Sequence, residues 1–395
     1  MITRVNDIRH RVNHYIYWVL EIVLKLVLFL FPRKKNQVLF GAWFGKKYID
    51  NTKYVYEYLL NEESVKVYWY TKEPSIYEQL KAEGKPVVLD GTFEALWVLI
   101  RSKLFVSTVQ MSEFNPLFLS NCLYLDLGHG HPIKDSGKIT WDKKTIIHSK
   151  LQKFLVDYHV AYPGTIHRKL SRKNWNTPVR NIHSANFARN DYFFDETLQS
   201  HQDFPLNVEY KGKTIVYMPT HRSEGKLPME MEKILDLSSI NRICNETDSV
   251  FIIKKHFYHR NEKEELDNYD RIFDLSSASI DPQDFLLKAD ILITDYSACY
   301  VDYLLLNRPL IFYHYDYEQF QKEERSLIIP FEDINIAPKP RTKIDFNESL
   351  SETILDKSDI YGKERTVFRK TYYDNPEPHH GREDVKRIIF KLLSL

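Results

Sequence analysis

The sequence predicts an α/β protein: two α/β units with parallel sheets facing a cleft, preceded by an N-terminal helix that lies on a membrane surface. Three observations carry this expectation. At 395 residues the chain exceeds the roughly 250–300 residues at which single hydrophobic cores stop growing. Short β-rich runs alternate with helical stretches, the pattern of βαβ units. The alternation comes in two series, parted by a polar stretch around Ser184–Asn207 that has no long apolar period. The implied division is 1–35 for a membrane-association helix, 36–190 for the first unit, 191–380 for the second and 381–395 for a closing helix.

Tyr15–Phe31 is almost wholly apolar, but it is only 17 residues long and holds Glu21 and Lys25. A spanning helix takes about 20 apolar residues, and each central charge costs roughly 2.5–3.5 kcal/mol. Glu21 and Lys25 stand i, i+4, so on a helix they pair on one face and leave a broad apolar face for lipid. Residues 1–35 carry seven basic groups against two acidic ones, and Pro32-Arg33-Lys34-Lys35 stands where a signal peptide would have its cleavage site. An interfacial helix is expected, with docking on the protein's own core as the plainer alternative.

The first series of strands is Gln37–Gly41, Val65–Tyr70, Pro86–Leu89, Leu104–Ser107, Cys122–Leu127 and Leu155–Tyr162. The second is Lys213–Met218, Ser249–Lys254, Arg271–Leu275, Ile291–Thr294 and Pro309–Tyr313, with helical stretches near Glu230–Cys244, Pro282–Lys288 and Ser297–Leu306. Arg382–Leu395 reads as an amphipathic helix with Val385, Ile388, Ile389, Leu392 and Leu393 on its apolar face.

Composition narrows the function classes. With 43% apolar and 28% charged residues the chain is globular, not disordered or fibrous. A formal charge of +1 leaves no global field to recruit nucleic acid. Cys122, Cys244 and Cys299 lie far apart and form no C-x-x-C pair, which argues against disulfide or zinc scaffolds and for a reducing, cytoplasmic setting.

Ligands of open α/β sheets collect beyond the carboxyl ends of strands, and four stretches there could carry chemistry. After Cys122–Leu127 comes a shaped loop, Gly128-His129-Gly130-His131-Pro132-Ile133-Lys134, in which His129 is the general-base candidate because an imidazole accepts a proton near neutral pH. His129 and His131 also have metal-ligand spacing, but no acidic or cysteine cluster completes a site, so no metal is expected. After Lys213–Met218, Thr220 offers a neutral donor and Arg222 a planar fork suited to phosphate. Ser249–Lys254 delivers Lys254, Lys255 and His256 at its end, and His256 is open between a phosphate donor and a satisfied sheet-edge histidine. Finally Ile291–Thr294 runs into Asp295-Tyr296-Ser297, both Asp295 and Ser297 being favoured N-cap types, and a helix start there would suit a diphosphate.

Together these stretches resemble the CDP-glycerol glycerophosphotransferase family, the primases and polymerases of wall teichoic acid and related capsule polymers. The resemblance rests on HGHPIK at 129–134, YMPTHR at 217–222, KKH at 254–256, LITDYSACYVDYLLLNRPLIFY at 292–313 and the entry stretch FGAWFGKKYIDNTKYVYEYLL at 40–60. It implies two Rossmann-like domains of GT-B type, peripheral on the cytoplasmic face of the membrane. The implied reaction is metal-independent and needs no cofactor: a hydroxyl of an undecaprenyl-diphosphate-linked glycan attacks the β-phosphorus of CDP-glycerol, and CMP leaves. His129 and His256 would be the catalytic residues. Thr220, Arg222, Lys254, Thr294, Asp295, Ser297 and Asp302 would bind the donor, and Gly130, His131 and Lys134 would shape the acceptor loop. Three positions depart from the family pattern: His131 replaces a threonine, Ala298 a serine and Gly128 a tryptophan, which leaves CDP-ribitol or another CDP-alditol open as donor. Two other readings stand beside this one, a GT-B glycosyltransferase using a nucleotide sugar and a catalytically silent membrane scaffold of an envelope-polymer complex.

Overall fold

The computed structural model describes residues 22–109, 111–134, 155–175, 177–200, 203–220, 222, 229–256, 259, 266–278, 280–323, 327–356, 359–374 and 380–395. Residues 1–21, which hold most of the expected N-terminal helix, and His221 of the YMPTHR motif lie outside these.

Two parallel sheets form the frame. The first has seven strands in the order β3-β2-β1-β4-β5-β6-β7: β1 (Lys34–Phe40), β2 (Lys66–Thr71), β3 (Val87–Leu89), β4 (Ser102–Ser107), β5 (Cys122–Asp126), β6 (Val156–Tyr162) and β7 (Ile182–Ser184). The second has five, in the order β10-β9-β8-β11-β12: β8 (Thr214–Met218), β9 (Val250–Ile253), β10 (Ile272–Asp274), β11 (Ile291–Thr294) and β12 (Leu310–Phe312). Every pairing is parallel. Strands covered on both faces read as continuous apolar runs, and VFII of β9 and ILIT of β11 are buried throughout. Both orders reverse direction beside their first strand, β1 against β4 and β8 against β11. Those reversals are the crevices where doubly wound sheets take ligands.

Helices connect the strands: α1 (Asp50–Leu59), α2 (Pro74–Ala82), α3 (Phe93–Arg101), α4 (Thr165–Trp175), α5 (Leu237–Glu246), α6 (Pro282–Lys288), α7 (Cys299–Tyr303), α8 (Tyr317–Glu323), α9 (Lys343–Leu355), α10 (Gly362–Arg369) and α11 (Gly381–Leu393). Side-chain caps begin several of them: Thr92, Asp236, Asp281 and Thr342 each accept a hydrogen bond from a first-turn N–H. The Asp236 cap explains why the stretch expected near Glu230–Cys244 is divided, with a short turn at Met231–Ile234 before α5. Expected as one helix to Leu306, the segment after β11 is instead the five-residue α7 followed by tight turns to Asn307.

α11 returns to the first sheet. Tyr58 of α1 donates to Glu383 at 2.8 Å, Lys386 pairs with Glu62, and the Arg382 guanidinium donates to Asp191 at 3.0 Å and Asp195 at 2.5 Å. Its buried face is Val385, Ile388, Ile389 and Leu393; Leu392, expected there, is only half-buried.

Residues 22–29 are helical. Lys25 and Leu28 turn inward at 2% and 4% exposure, while Val23, Leu26, Val27 and Leu30 face out at 47–81%. Lys25 therefore points into the protein, and the outer face is apolar. Arg33 is withdrawn from the basic cluster as well, donating to the carbonyls of Leu99, Ser102, Phe118 and Ser120. Among the described residues no helix is long and apolar enough to cross a membrane.

Candidate active site

His129 stands on the loop leaving β5, and that loop is braced from below. The Asp126 carboxyl accepts from the Gly128 N–H at 2.8 Å and the Tyr158 hydroxyl at 2.7 Å. Burial pushes this carboxyl up to about 6, against the pull of those hydrogen bonds. Gly128 adopts φ +66°, where a Cβ would sit 3.0 Å from the Tyr162 ring, so glycine is required twice over. Asn51 of α1 donates to the Gly128 carbonyl at 2.8 Å. The turn delivers His129 into solvent.

His129 is exposed as a residue, but the protein around its ring strips much of the imidazole's solvation and lowers its pKa. Asp50 opposes that shift, Arg189 adds to it, and the Thr108 carbonyl, hydrogen-bonded to the ring, opposes it. The net direction is downward, which favours the neutral ring near pH 7. Glu113 in turn holds this segment, accepting from the N–H groups of Thr108 at 3.2 Å and Val109 at 2.6 Å and from the Thr108 hydroxyl at 3.0 Å. Trp43 meets the imidazole edge-on at 5.7 Å between centroids and donates its indole N–H to Asp50 at 3.0 Å.

The opposite wall belongs to the second sheet. A Cβ built on Gly130 would lie 3.9 Å from the Ala298 side chain, so the loop after β5 meets the start of α7. Ser297 and Ala298 after β11, and Lys254 and His256 after β9, are half-buried. The Lys254 ammonium lies 3.3–3.4 Å from the carbonyls of Leu275, Ser276 and Ala278 and 4.8 Å from the centre of the Phe285 ring. Burial lowers its pKa to about 8, with Asp274 opposing and Lys47, from the loop after β1, adding to the shift. Two ammonium groups, one from a loop of each sheet, thus repel one another, an arrangement that an anion would relieve.

Several expected ligands are committed elsewhere. Arg222 donates to Asp316 at 2.6 Å, Asp295 at 2.7 Å and the Thr220 carbonyl at 2.6 Å, so its fork is occupied by protein. Asp295 is fully buried and also accepts from the N–H groups of Thr220 at 2.8 Å and Tyr296 at 2.6 Å. It is an anchor between β8 and β11, not a helix cap; the cap position of α7 is Ala298, and Ser297 accepts from the Cys299 N–H at a long 3.4 Å. Thr294 gives its hydroxyl to the Met218 carbonyl at 2.7 Å. Asp302 is 2% exposed and accepts from Arg189 at 2.6 Å and Asn190 at 2.9 Å. His131 is 4% exposed, packed against Phe187 and Tyr373 at 4.8 and 4.7 Å, and does not reach the cleft. Lys134 leans 4.8 Å over the Phe320 ring of α8, linking its loop to the second half. The Thr220 hydroxyl is buried without a hydrogen-bond partner among the described residues.

The model of the family described as CDP-Glycerol:Poly(glycerophosphate) glycerophosphotransferase matches residues 22–391, nearly the whole chain. The chain belongs to this family. It is 24% identical to the teichoic acid glycerol-phosphate transferase of Staphylococcus aureus (strain NCTC 8325 / PS 47), over 98% of this chain and 99% of that one. To the teichoic acid poly(glycerol phosphate) polymerase of Bacillus spizizenii (strain ATCC 23059 / NRRL B-14472 / W23) it is 27% identical, over 93% and 94%. Among solved structures it is similar to the wall teichoic acid polymerase TagF, with a TM-score of 0.75 at 22% identity over 99% of this chain and 98% of that one, a likeness of fold.

For this family member, the sequence reading missed the group that joins the halves. Arg189, Asp50, Asn51 and Trp43 surround His129, and none was singled out. A signal was present: Asp50-Asn51 and Arg189-Asn190-Asp191 are runs of adjacent polar residues.

Proposed function

We propose that this protein transfers glycerol phosphate, or a related alditol phosphate, from a CDP-activated donor to a hydroxyl of a lipid-linked glycan in teichoic acid or capsule polymer synthesis, releasing CMP. One observation carries the reading: His129, with its pKa lowered by desolvation, stands on a loop where a Cβ built on Gly130 would lie 3.9 Å from Ala298, at the start of the helix that follows β11. His129 takes the proton of the acceptor hydroxyl as its oxygen bonds to the β-phosphorus. The bond between the β-phosphorus and the bridging oxygen breaks, and CMP departs with that oxygen and the electron pair. Lys254, His256 and Ser297 hold the diphosphate, with Lys47 from the other wall, since phosphoryl transfer depends on positioning and charge stabilisation. The family's name and the soaking of a TagF variant with CDPG support the donor class.

In this reading the two sheets are two domains, near 36–190 and 191–380, in a GT-B arrangement, and the protein works peripherally at the cytoplasmic face of the membrane. The outward Val23, Leu26, Val27 and Leu30, beside exposed Lys34 and Lys35, suit an anionic lipid surface and bring an undecaprenyl-diphosphate-linked acceptor to the first half.

The test is CMP release in detergent with a lipid-linked disaccharide acceptor, from CDP-glycerol and CDP-ribitol in parallel, for wild type and His129→Ala. Loss of a general base lowers the rate by on the order of 10²–10⁴. CMP from one donor, abolished in the variant, supports donor class and base together; a silent wild type that still binds CDP-glycerol returns the scaffold reading.

A further inference from the structure

Arg189 is bound at three points by three separate segments. One terminal nitrogen, Nη1, donates to the Asp50 carboxylate at 2.9 Å and to the His129 backbone carbonyl at 2.6 Å, and the other, Nη2, donates to Asp302 at 2.6 Å. Its own backbone N–H donates to Asn51 at 3.1 Å, and its side chain is 12% exposed. Asp50 starts α1, His129 lies on the loop after β5 and Asp302 lies on α7, so a single guanidinium ties both edges of the first half's cleft to the second half. Asp50 is itself held at φ +73°, a left-handed conformation that a non-glycine residue keeps only where its surroundings impose it. Trp43 closes the circuit, bonded to Asp50 and packed on the His129 ring.

We propose that Arg189 is a positioning residue for the transfer: by bridging Asp50, the His129 carbonyl and Asp302, it fixes where the base stands relative to the donor-binding half. The proposal rests on the reading of His129 as the base. Arg189 does not touch the reacting atoms. Its planar fork satisfies three acceptors at fixed angles, which the single ammonium of lysine cannot do. A displacement of about 1 Å at a reacting group costs roughly 10²-fold in rate.

The same circuit tunes the ring. The charged or titratable groups facing His129 are Asp50 of α1, Arg189, and His167 of α4, with the Thr108 carbonyl and Trp43 completing its surroundings. Arg189 disfavours the imidazolium and Asp50 favours it. Removing the two charges one at a time therefore moves the His129 titration in opposite directions, a result that simple loss of packing does not give.

The experiment measures kcat and KM for CMP release across pH for wild type, Arg189→Met, Arg189→Lys and Asp50→Asn, and follows the His129 ring directly by NMR in histidine-labelled protein. In Arg189→Met, kcat falls roughly 10–100-fold, and the His129 midpoint rises. In Arg189→Lys the midpoint returns toward wild type while kcat stays low. In Asp50→Asn, which keeps the side chain's shape, the midpoint falls. Should Arg189→Met not fold, the Asp50→Asn and Arg189→Lys titrations carry the test alone. Arg189→Met with wild-type kcat, or midpoints that move the same way in Arg189→Met and Asp50→Asn, overturns the proposal. A His129→Ala control separates the two readings. Full activity there removes the base and this proposal together, whereas an inactive His129→Ala beside a fully active Arg189→Met overturns the bridge alone.

Discussion

Replacing Arg222 by alanine strips a buried carboxylate of its counter-ion. Asp295 is completely buried, and Arg222 is its cationic partner at 2.7 Å, with Asp316 bound by the same guanidinium. Breaking a buried pair from one side costs about 3–5 kcal/mol, because the remaining charge is left without compensation. Here Asp295 keeps two backbone N–H donors, Thr220 and Tyr296, which places the loss at about 3 kcal/mol, the low end of that range. At roughly 2 °C per kcal/mol for a chain of this size, Arg222→Ala melts about 6 °C below wild type. Adding Asp295→Asn to Arg222→Ala removes the stranded charge and recovers part of the loss. The assay is thermal unfolding followed by circular dichroism, paired with calorimetric titration of CDP-glycerol. An unchanged melting temperature together with lost donor affinity refutes the reasoning, and makes Arg222 the phosphate fork that its position after a strand suggests.

Three more outcomes are expected. Lys254 has a pKa lowered by burial to about 8, so its charge is full below that pH and lost above it; KM for the donor rises as pH is raised through about 8, and Lys254→Met removes that limb. Gly164→Ala places a Cβ 1.8 Å from the Tyr372 carbonyl oxygen, forcing backbone apart, and overpacking of that kind costs about 1–3 kcal/mol or more, read as a lowered melting temperature. Leu26→Glu with Leu30→Glu, at positions 51% and 81% exposed, leaves the melting temperature within the range of surface changes, about 0.5 kcal/mol, and reduces flotation with anionic phospholipid vesicles.

Much of the frame was legible because parallel strands buried on both faces announce themselves as apolar runs. Eleven of the strands fall where such runs stand. β7 did not, since three residues, Ile182–Ser184, half-exposed at a sheet edge, carry no pattern. The site was legible as a set of loops but not as a set of contacts. Arg222 and Asp295 are 73 residues apart, and Arg189 and Asp302 are 113 apart. A sequence displays each charge at the end of its strand or start of its helix without showing whether it is aimed at a ligand or at another charge. Hence Asp295, Asp302, Thr294 and Arg222 were expected on the donor and are found holding the protein together. The polar stretch read as a junction hid the opposite error. Ala188–Phe193 is a 3-10 turn with no apolar period, yet from it Arg189 and Asn190 reach across to Asp302.

The return of α11 to α1 bears on how the chain is assembled. Lys386 meets Glu62 at a sequence separation of 324, so the part of α1 that α11 covers stays bare until α11 itself has been synthesised. Contacts of such long separation slow folding and leave apolar surface open to wrong partners meanwhile. Variants that weaken α11, such as Arg382→Ala, are therefore expected to lower the yield of native protein on refolding more than their effect on the finished molecule's melting temperature implies.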